Sequence, residues 1–262
     1  MTDDAPPAEE RAQRERYDAL VQLLREARYR YYVLSEPMMP DVEFDALLRE
    51  LVDLEQRHPA MKVADSPSAA VGAPPDEAFP PFTHVAPMLS LDNVFDEAEL
   101  REWAERVRRG LPDGATPTWT CEPKIDGVAV NCVYRDGVLT TGATRGDGTV
   151  GETITTQLGT LDDLPYRLSE DAPPALIELR GEVYYPTAEF DRMNVERIER
   201  GEAAFMNPRN GASGALRQKD PSKVAERPLH CWIYGVGAVE GMTFASHSGF
   251  LEWAKSAGLP VQ

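Results

Sequence analysis

Lysine is scarce in this chain. Among its 262 residues only five are lysine, Lys62, Lys124, Lys219, Lys223 and Lys255, against 22 arginines. Cysteine is scarcer still. Cys121, Cys132 and Cys231 are too few and too scattered for a disulfide framework or a zinc-ligand spacing, and an odd number leaves one unpaired, which fits a reducing cytoplasm. No apolar run approaches membrane-spanning length, and the first sixteen residues mix acids, bases and prolines without the apolar stretch of a signal peptide. Internal repeats and low-complexity tracts are lacking too. Positive charge is in deficit: a net charge of −17 excludes a chain that grips a nucleic-acid backbone through its overall field. One window departs from this, Phe205 to Leu229, with five basic residues (Arg209, Arg217, Lys219, Lys223, Arg227) against two acids (Asp220, Glu226).

What is present is enough for a proper core, at 42% apolar residues. Tyr17, Leu20, Val21 and Leu24 recur at helical spacing and predict an amphipathic helix over Glu15 to Tyr32. Pro40-Asp41 offers a cap for a second, whose stripe of Phe44, Leu47, Leu48, Leu51 and Leu54 stops at His58-Pro59. Together they make a helical hairpin. Residues 65–87 hold no sustained period and are rich in Pro, Ala and Asp, the composition of a linker crossing the surface. Asp96 and Glu99 form a capping box for a helix with Leu100, Trp103, Ala104 and Val107 inward, closed by Gly110.

Beyond this helix the pattern turns to strand. Val128 to Tyr134, the turn Arg135-Asp136-Gly137 and Val138 to Thr144 read as a β-hairpin. Ala175 to Tyr185 alternates Ile177, Leu179, Gly181 and Val183 with Glu178, Arg180, Glu182 and Tyr184, which puts Glu182 on a polar face. Further helices are expected at Thr187 to Arg200 and near Ser248 to Ala257, with a strand at Leu229 to Val236 between them.

The chemistry concentrates at Cys121-Glu122-Pro123-Lys124-Ile125-Asp126-Gly127. An extended chain there projects Glu122, Lys124 and Asp126 from one face, an amine between two carboxylates, on a strand that feeds into the hairpin. Lysine attacks an electrophile only after losing a proton in a pocket that holds its target, and flanking carboxylates position it. Alone, the stretch also fits a surface strand with a salt bridge. Downstream, Thr144 to Glu152 sets three glycines around Arg145 and two acids, a composition that lets backbone approach a ligand and equally makes a plain turn. Arg180-Gly181-Glu182 has the same ambiguity. Asn207 to Arg217 places small residues between two arginines, which suits close approach to an anion or the start of a tightly packed helix.

In this order, these segments resemble the bacterial NAD-dependent DNA ligases, from their N-terminal helical domain into the nucleotidyltransferase domain. The resemblance is carried by Tyr31-Tyr32-Val33, Pro40-Asp41 and Glu43-Phe44-Asp45, Pro87 to Asn93, the Lys124 motif, the Arg145 loop, Arg180-Gly181-Glu182, Asn207-Pro208-Arg209-Asn210 and Tyr234-Gly235-Val236-Gly237. It implies an α+β protein: a small N-terminal helical hairpin domain (residues 1–64) for NMN and NAD recognition, a linker (65–87), and an ATP-grasp-like nucleotidyltransferase domain of antiparallel sheets flanked by helices (88–262), incomplete at its C-terminus.

It further implies that Lys124 attacks the α-phosphorus of NAD, giving lysyl-AMP and releasing nicotinamide mononucleotide, with Mg²⁺ offsetting phosphate charge. AMP then passes to the 5′-phosphate of nicked double-stranded DNA, in replication and repair. By the same resemblance Glu122 reads the adenine amino group, Ser90 and Leu91 line the nucleotide site and Tyr234 stacks on the base. Asp126, Arg145 and Glu182 surround ribose and phosphates. Tyr31, Tyr32, Asp41 and Asp45, with Val42, Glu43 and Phe44 between them, take the NMN half, and Arg209 and Arg217 face phosphates near the nick.

The chain departs from the family at Phe44, where a tyrosine is expected, and at Ser35-Glu36. It also stops before a further lysine-bearing strand and the DNA-binding modules, which implies a piece that does not seal nicks alone. A cytoplasmic monomer without a membrane partner is expected. The rival readings are an ATP-dependent covalent nucleotidyltransferase, which has no need of the helical hairpin, and a non-catalytic nucleotide-binding module.

Overall fold

A computed structural model of the chain describes residues 8–34, 36–69, 79–91 and 93–261. Ser35 and Asp92, and the side chain of Val33, are outside what it describes. The chain divides into two compact units: residues up to Met88 together with those from Asp126 on, and the stretch Leu89–Ile125.

The first unit opens with helix α1, Ala8–Tyr29, which continues into a π-type turn, Arg30–Leu34. Helix α2 is Asp41–Arg57. Their stripes meet as the spacing predicts, Tyr17, Leu20, Val21 and Leu24 against Leu51 and Leu54. Each such side chain contributes on the order of 1.5–3 kcal/mol by leaving water. Two details differ from expectation. The helix begins a full two turns earlier, and the cap of α2 is Pro40, without a side-chain bond, so that Asp41 stands inside the first turn with its carboxylate uncommitted to capping.

The stretch expected to cross the surface as a linker is partly built in. Ser66 is buried and, with Ser68 and Lys62, donates to the buried carboxylate of Glu55. Strand β1, Pro81–Thr83, pairs antiparallel with β4, Val150–Glu152.

A four-stranded antiparallel sheet forms the centre of this unit. Strand β2 (Val128–Arg135), β3 (Val138–Thr144), β5 (Leu176–Tyr184) and β6 (His230–Glu240) lie in the order β3-β2-β5-β6. The β2–β3 turn is where the sequence puts it: Asp136 and Gly137 both take positive φ, 48° and 77°, the conformation a tight right-twisted hairpin needs. Ile177, Leu179 and Val183 of β5 join Cys231 and Ile233 in the main core. The opposite face of β5 is a correction: Glu178, Arg180 and Glu182 are buried as well, at 0%, 9% and 7% exposure, so this polar face looks into protein.

Helices α4 (Thr155–Leu158), α5 (Thr187–Glu199), α6 (Pro208–Leu216), α7 (Pro221–Ala225) and α8 (His247–Ser256) surround the sheet. The small-residue segment between Arg209 and Arg217 is helix. Asn207 caps α6 by accepting from the Asn210 N–H, and a Cβ at Gly211 would already crowd the Tyr185 ring at 3.2 Å, which is why small residues line it.

The second unit holds helix α3, Glu97–Arg109. The capping box forms: the Glu99 N–H donates to Asp96 and the Phe95 N–H to the Glu99 carboxylate. The stripe is not inward, however, since Leu100 is 48% and Trp103 37% exposed. So short a stretch supplies too little chain to cover a helix face, and Trp103 instead meets Trp119 at 4.8 Å between ring centroids. The expected Lys124 strand is also absent. Residues 117–126 have no strand partner among the described residues, and the sheet begins at Val128. Among the described residues no helix is long and apolar enough to cross a membrane.

Candidate functional site

In the first unit, one cavity draws together residues far apart in sequence. Tyr31 and Tyr32, on the π-type turn, face Val128 and Ala129 at the start of β2, the Thr144-Arg145-Gly146 corner after β3, and Arg209, Ser213 and Arg217 along α6. Hydrophobic wall, two phenols and three guanidinium groups suit a ligand with rings and phosphates.

Each part has a local cause. The wider π-type turn sets the two tyrosine rings edge to face at 5.0 Å. Arg209 lies over both, 5.6 Å from the Tyr31 ring and 5.3 Å from the Tyr32 ring. Burial pushes the Tyr31 phenol up, so it stays neutral. Arg209 and Arg217 emerge two turns apart from α6, each next to a buried carboxylate, Arg209 at 4.0 Å from Glu182 and Arg217 at 2.8 Å from Glu152. Arg28 is pushed down from its usual range by burial, opposed by Tyr32 and helped by the charge of Arg145.

The acids of α2 sit beside this cavity. Asn207 donates to the Asp41 carboxylate at 3.4 Å. Although Asp41 as a residue stays accessible, partial burial of its carboxyl, with Asp126 and Asp45 nearby, pushes it above the usual carboxylate range against the pull of Arg209. Asp45 is raised too, by burial, with Arg49 opposing. Val42 and Glu43 are exposed on the same turn. Phe44 packs against the hairpin core, so in place of the tyrosine hydroxyl expected there it contributes apolar contact inward.

Glu182 and Tyr234 face one another's neighbourhood on β5 and β6. The Tyr234 phenol is pushed up to about 12 by burial and then by Glu182, while Arg145 and Arg180 pull the other way. Gly127, which closes the lysine motif, has a steric reason to be glycine: a Cβ there would stand 2.3 Å from the Val183 carbonyl and 2.9 Å from Glu182 Cγ. Gly127→Ala is therefore expected to lower stability by about 1–3 kcal/mol, read as a fall in the urea midpoint at unchanged slope.

Ser90, Leu91, Glu122 and Lys124 belong to the second compact unit, where all four are exposed. Asp126 opens the later part of the first.

The family model for the NAD-dependent DNA ligase adenylation domain matches residues 76–262. The chain belongs to this family. A second family model, the DNA ligase-like N-terminal NAD⁺-binding domain, matches residues 10–72. It is 47% identical to a DNA ligase of Roseiflexus castenholzii over 257 residues, which takes in 94% of this chain and 36% of that protein. Identity is 47% over 256 residues to a DNA ligase of Geobacter metallireducens, and 48% over 238 residues to one of Pseudomonas putida, covering 37% and 31% of those proteins. The chain thus spans about a third of the length of these curated relatives.

Two residues of this cavity were given no role by sequence reasoning. Glu152 looked like the tail of a turn motif, but it is 3% exposed and is the partner of Arg217. Asn210, buried in the cavity wall, has no partner for either side-chain amide atom among the described residues. Its signal was only that a polar residue sits in a run of small ones.

Proposed function

We propose that this chain is the adenylation portion of an NAD-dependent DNA ligase, in which Lys124 Nζ attacks the α-phosphorus of NAD. A P–N bond forms, the P–O bond to nicotinamide mononucleotide breaks, and the lost lysine proton goes to solvent or a nearby carboxylate. The observation that carries the reading is the cavity itself: an aromatic and acidic contribution from residues 31–45 meets an arginine-lined wall from residues 145–217. A dinucleotide needs both halves, whereas ATP would leave Tyr31, Tyr32 and Asp41 without a task.

In this reading residues 1–64 recognise the NMN half, 65–87 connect, and 88–262 carry adenylation. Tyr31 and Tyr32 hold the nicotinamide ring, and Asp41 and Asp45 its ribose and positive charge. Arg145 and Arg209 meet the phosphates, Glu182 the ribose, Tyr234 the base, with Glu122, Ser90 and Leu91 completing the adenosine site. Val42 and Glu43 flank the NMN side. Arg217 and Arg209 later face the nick. Mg²⁺, which the family implies, has no cage of three or more His, Cys, Asp and Glu side chains among the described residues; it would arrive on the dinucleotide phosphates. The AMP is destined for nicked DNA in replication and repair, in a bacterial cytoplasm where Cys121, Cys132 and Cys231 remain free thiols, and the chain acts as a monomer.

Intact mass after incubation with Mg²⁺ and NAD, beside a parallel sample with ATP, tests this. An AMP-sized gain from NAD alone is expected; a gain from ATP alone would sink it. Asp41→Asn is expected to weaken NAD binding about tenfold or more, the size of one charge-assisted contact, while the melting temperature does not fall, since the lost charge was disfavoured in the fold. Calorimetric titration and thermal melting check the two halves.

A further inference from the structure

Beneath the cavity lies a buried polar cluster that no step above uses. Glu178 is fully buried and accepts hydrogen bonds from the Val85 N–H (3.0 Å) and Asn131 Nδ2 (3.0 Å) on one oxygen, and from the Ala86 N–H (3.1 Å) and Ala238 N–H (3.2 Å) on the other. Arg180 adds a contact at 3.4 Å and also donates to the Ala86 carbonyl. Asn131, fully buried, stands 3.0 Å from His84 Nδ1, and His84 Nε2 stands 3.1 Å from the carbonyl oxygen of Arg145.

These contacts have only one consistent direction. Ionised Glu178 accepts only, so Asn131 turns its amide nitrogen toward it; the flipped amide would set oxygen against carboxylate. The second hydrogen of that nitrogen then points at His84 Nδ1, which must accept. A neutral imidazole accepting at Nδ1 carries its proton on Nε2, and so donates to Arg145. Burial lowers the pKa of His84, consistent with the neutral form. The Arg145 carbonyl also takes the Gly148 N–H at 3.1 Å, closing the turn in which Gly146 and Gly148 hold φ of 59° and 94°.

We propose that Glu178, Asn131 and His84 form a one-way hydrogen-bond relay that fixes the Arg145 turn, making His84 a positioning residue for the Arg145 guanidinium. The relay reaches the cavity through that carbonyl. Its value for the reaction rests on the reading of Arg145 as phosphate-facing.

Two isosteric changes separate the relay from mere filling of space. His84→Gln places an amide N–H near the position of Nε2 and keeps the donation to Arg145. His84→Asn places its amide near Nδ1 and falls short of Arg145. In hydrogen–deuterium exchange of the full chain, peptides spanning residues 145–151 are expected to exchange about tenfold faster in His84→Asn, the scale of one lost buried hydrogen bond, and near the parent rate in His84→Gln. Asn131→Ala, which leaves Glu178 its three backbone donors, is expected to loosen the same peptides and not those over 84–86, and to add nothing in the His84→Asn background.

Parent-like exchange in His84→Asn, equal loosening by Gln and Asn, or additive loosening in the double variant would overturn the relay. Should His84→Asn fail to fold, Asn131→Ala carries the test alone, and unchanged exchange at 145–151 overturns it. AMP-adduct formation from NAD, followed on the same samples, is expected to slow about tenfold wherever the turn loosens. A parent chain that forms no adduct refutes the adenylation reading while the exchange data still decide the relay.

Discussion

Lys124→Ala yields no AMP-sized mass gain with NAD and Mg²⁺, at a melting temperature within a degree or so of the parent. The two halves have separate physical grounds. Lys124 is exposed, and substitutions at exposed positions change stability by about 0.5 kcal/mol or less. The chemistry, in contrast, has no substitute. In the proposed reaction the amine supplies the electron pair of the P–N bond, so its removal takes the rate below detection rather than lowering it. Lys124→Arg sharpens the test, because a guanidinium keeps the positive charge and is never deprotonated in the working range. If the arginine variant still gained AMP, the lysine would be an electrostatic partner and the nucleophile would have to be sought elsewhere. NAD binding measured on both variants tells lost chemistry from a lost site, and equal binding with no adduct even in the parent would favour the non-catalytic module.

Glu178→Ala should cost about 3–5 kcal/mol, the scale of breaking a buried charged cluster by removing one partner. It would strand the N–H groups of Val85, Ala86 and Ala238, the Asn131 amide and the Arg180 charge in the interior. The crowding is visible at Gly237, where a Cβ would lie 2.7 Å from the Glu178 carboxylate and 2.6 Å from Arg180.

Burial opposes ionisation of Glu178, but its hydrogen bonds from Asn131, Ala238, Val85 and Ala86 outweigh that and hold it below the usual carboxylate range. A depressed carboxyl stabilises the fold above its unfolded value, about 4.3, and this contribution drains away as pH falls through the lower folded value. The gap in urea midpoint between parent and variant is therefore expected to be full at neutral pH and to narrow below about pH 4. A gap that widens with acid would show that Glu178 is held protonated.

Local signals were legible and non-local ones were not. Asp136-Gly137 announced its turn, Asp96 and Glu99 their cap, and the two stripes of the helical hairpin their mutual face, because each depends on residues a few positions apart. The alternation in β5 correctly gave the apolar side, yet could not say that Val85 and Ala86, some ninety residues earlier, cover the other side and turn Glu178 and Arg180 into interior charges. Glu152 was hidden for the same reason, its partner Arg217 lying far along the chain. The Lys124 motif has strand composition, but a strand is defined by a neighbour, and composition does not supply one. Most of the candidate site was read from order and resemblance; its coupling to the sheet beneath was readable only in three dimensions.

The pairing of Arg209 with Glu182 and of Arg217 with Glu152 bears on how the cavity senses its surroundings. A guanidinium already matched to a carboxylate projects little field, and the −17 chain around it repels polyanions at a distance. Chloride and stray inorganic phosphate gain little by entering, because each would have to displace a partner that is already in place. On the proposed reading, selection is thus made at touching range, by a molecule whose rings and phosphates engage the tyrosines and arginines at once, and the crowded anion pool of a cell is left outside.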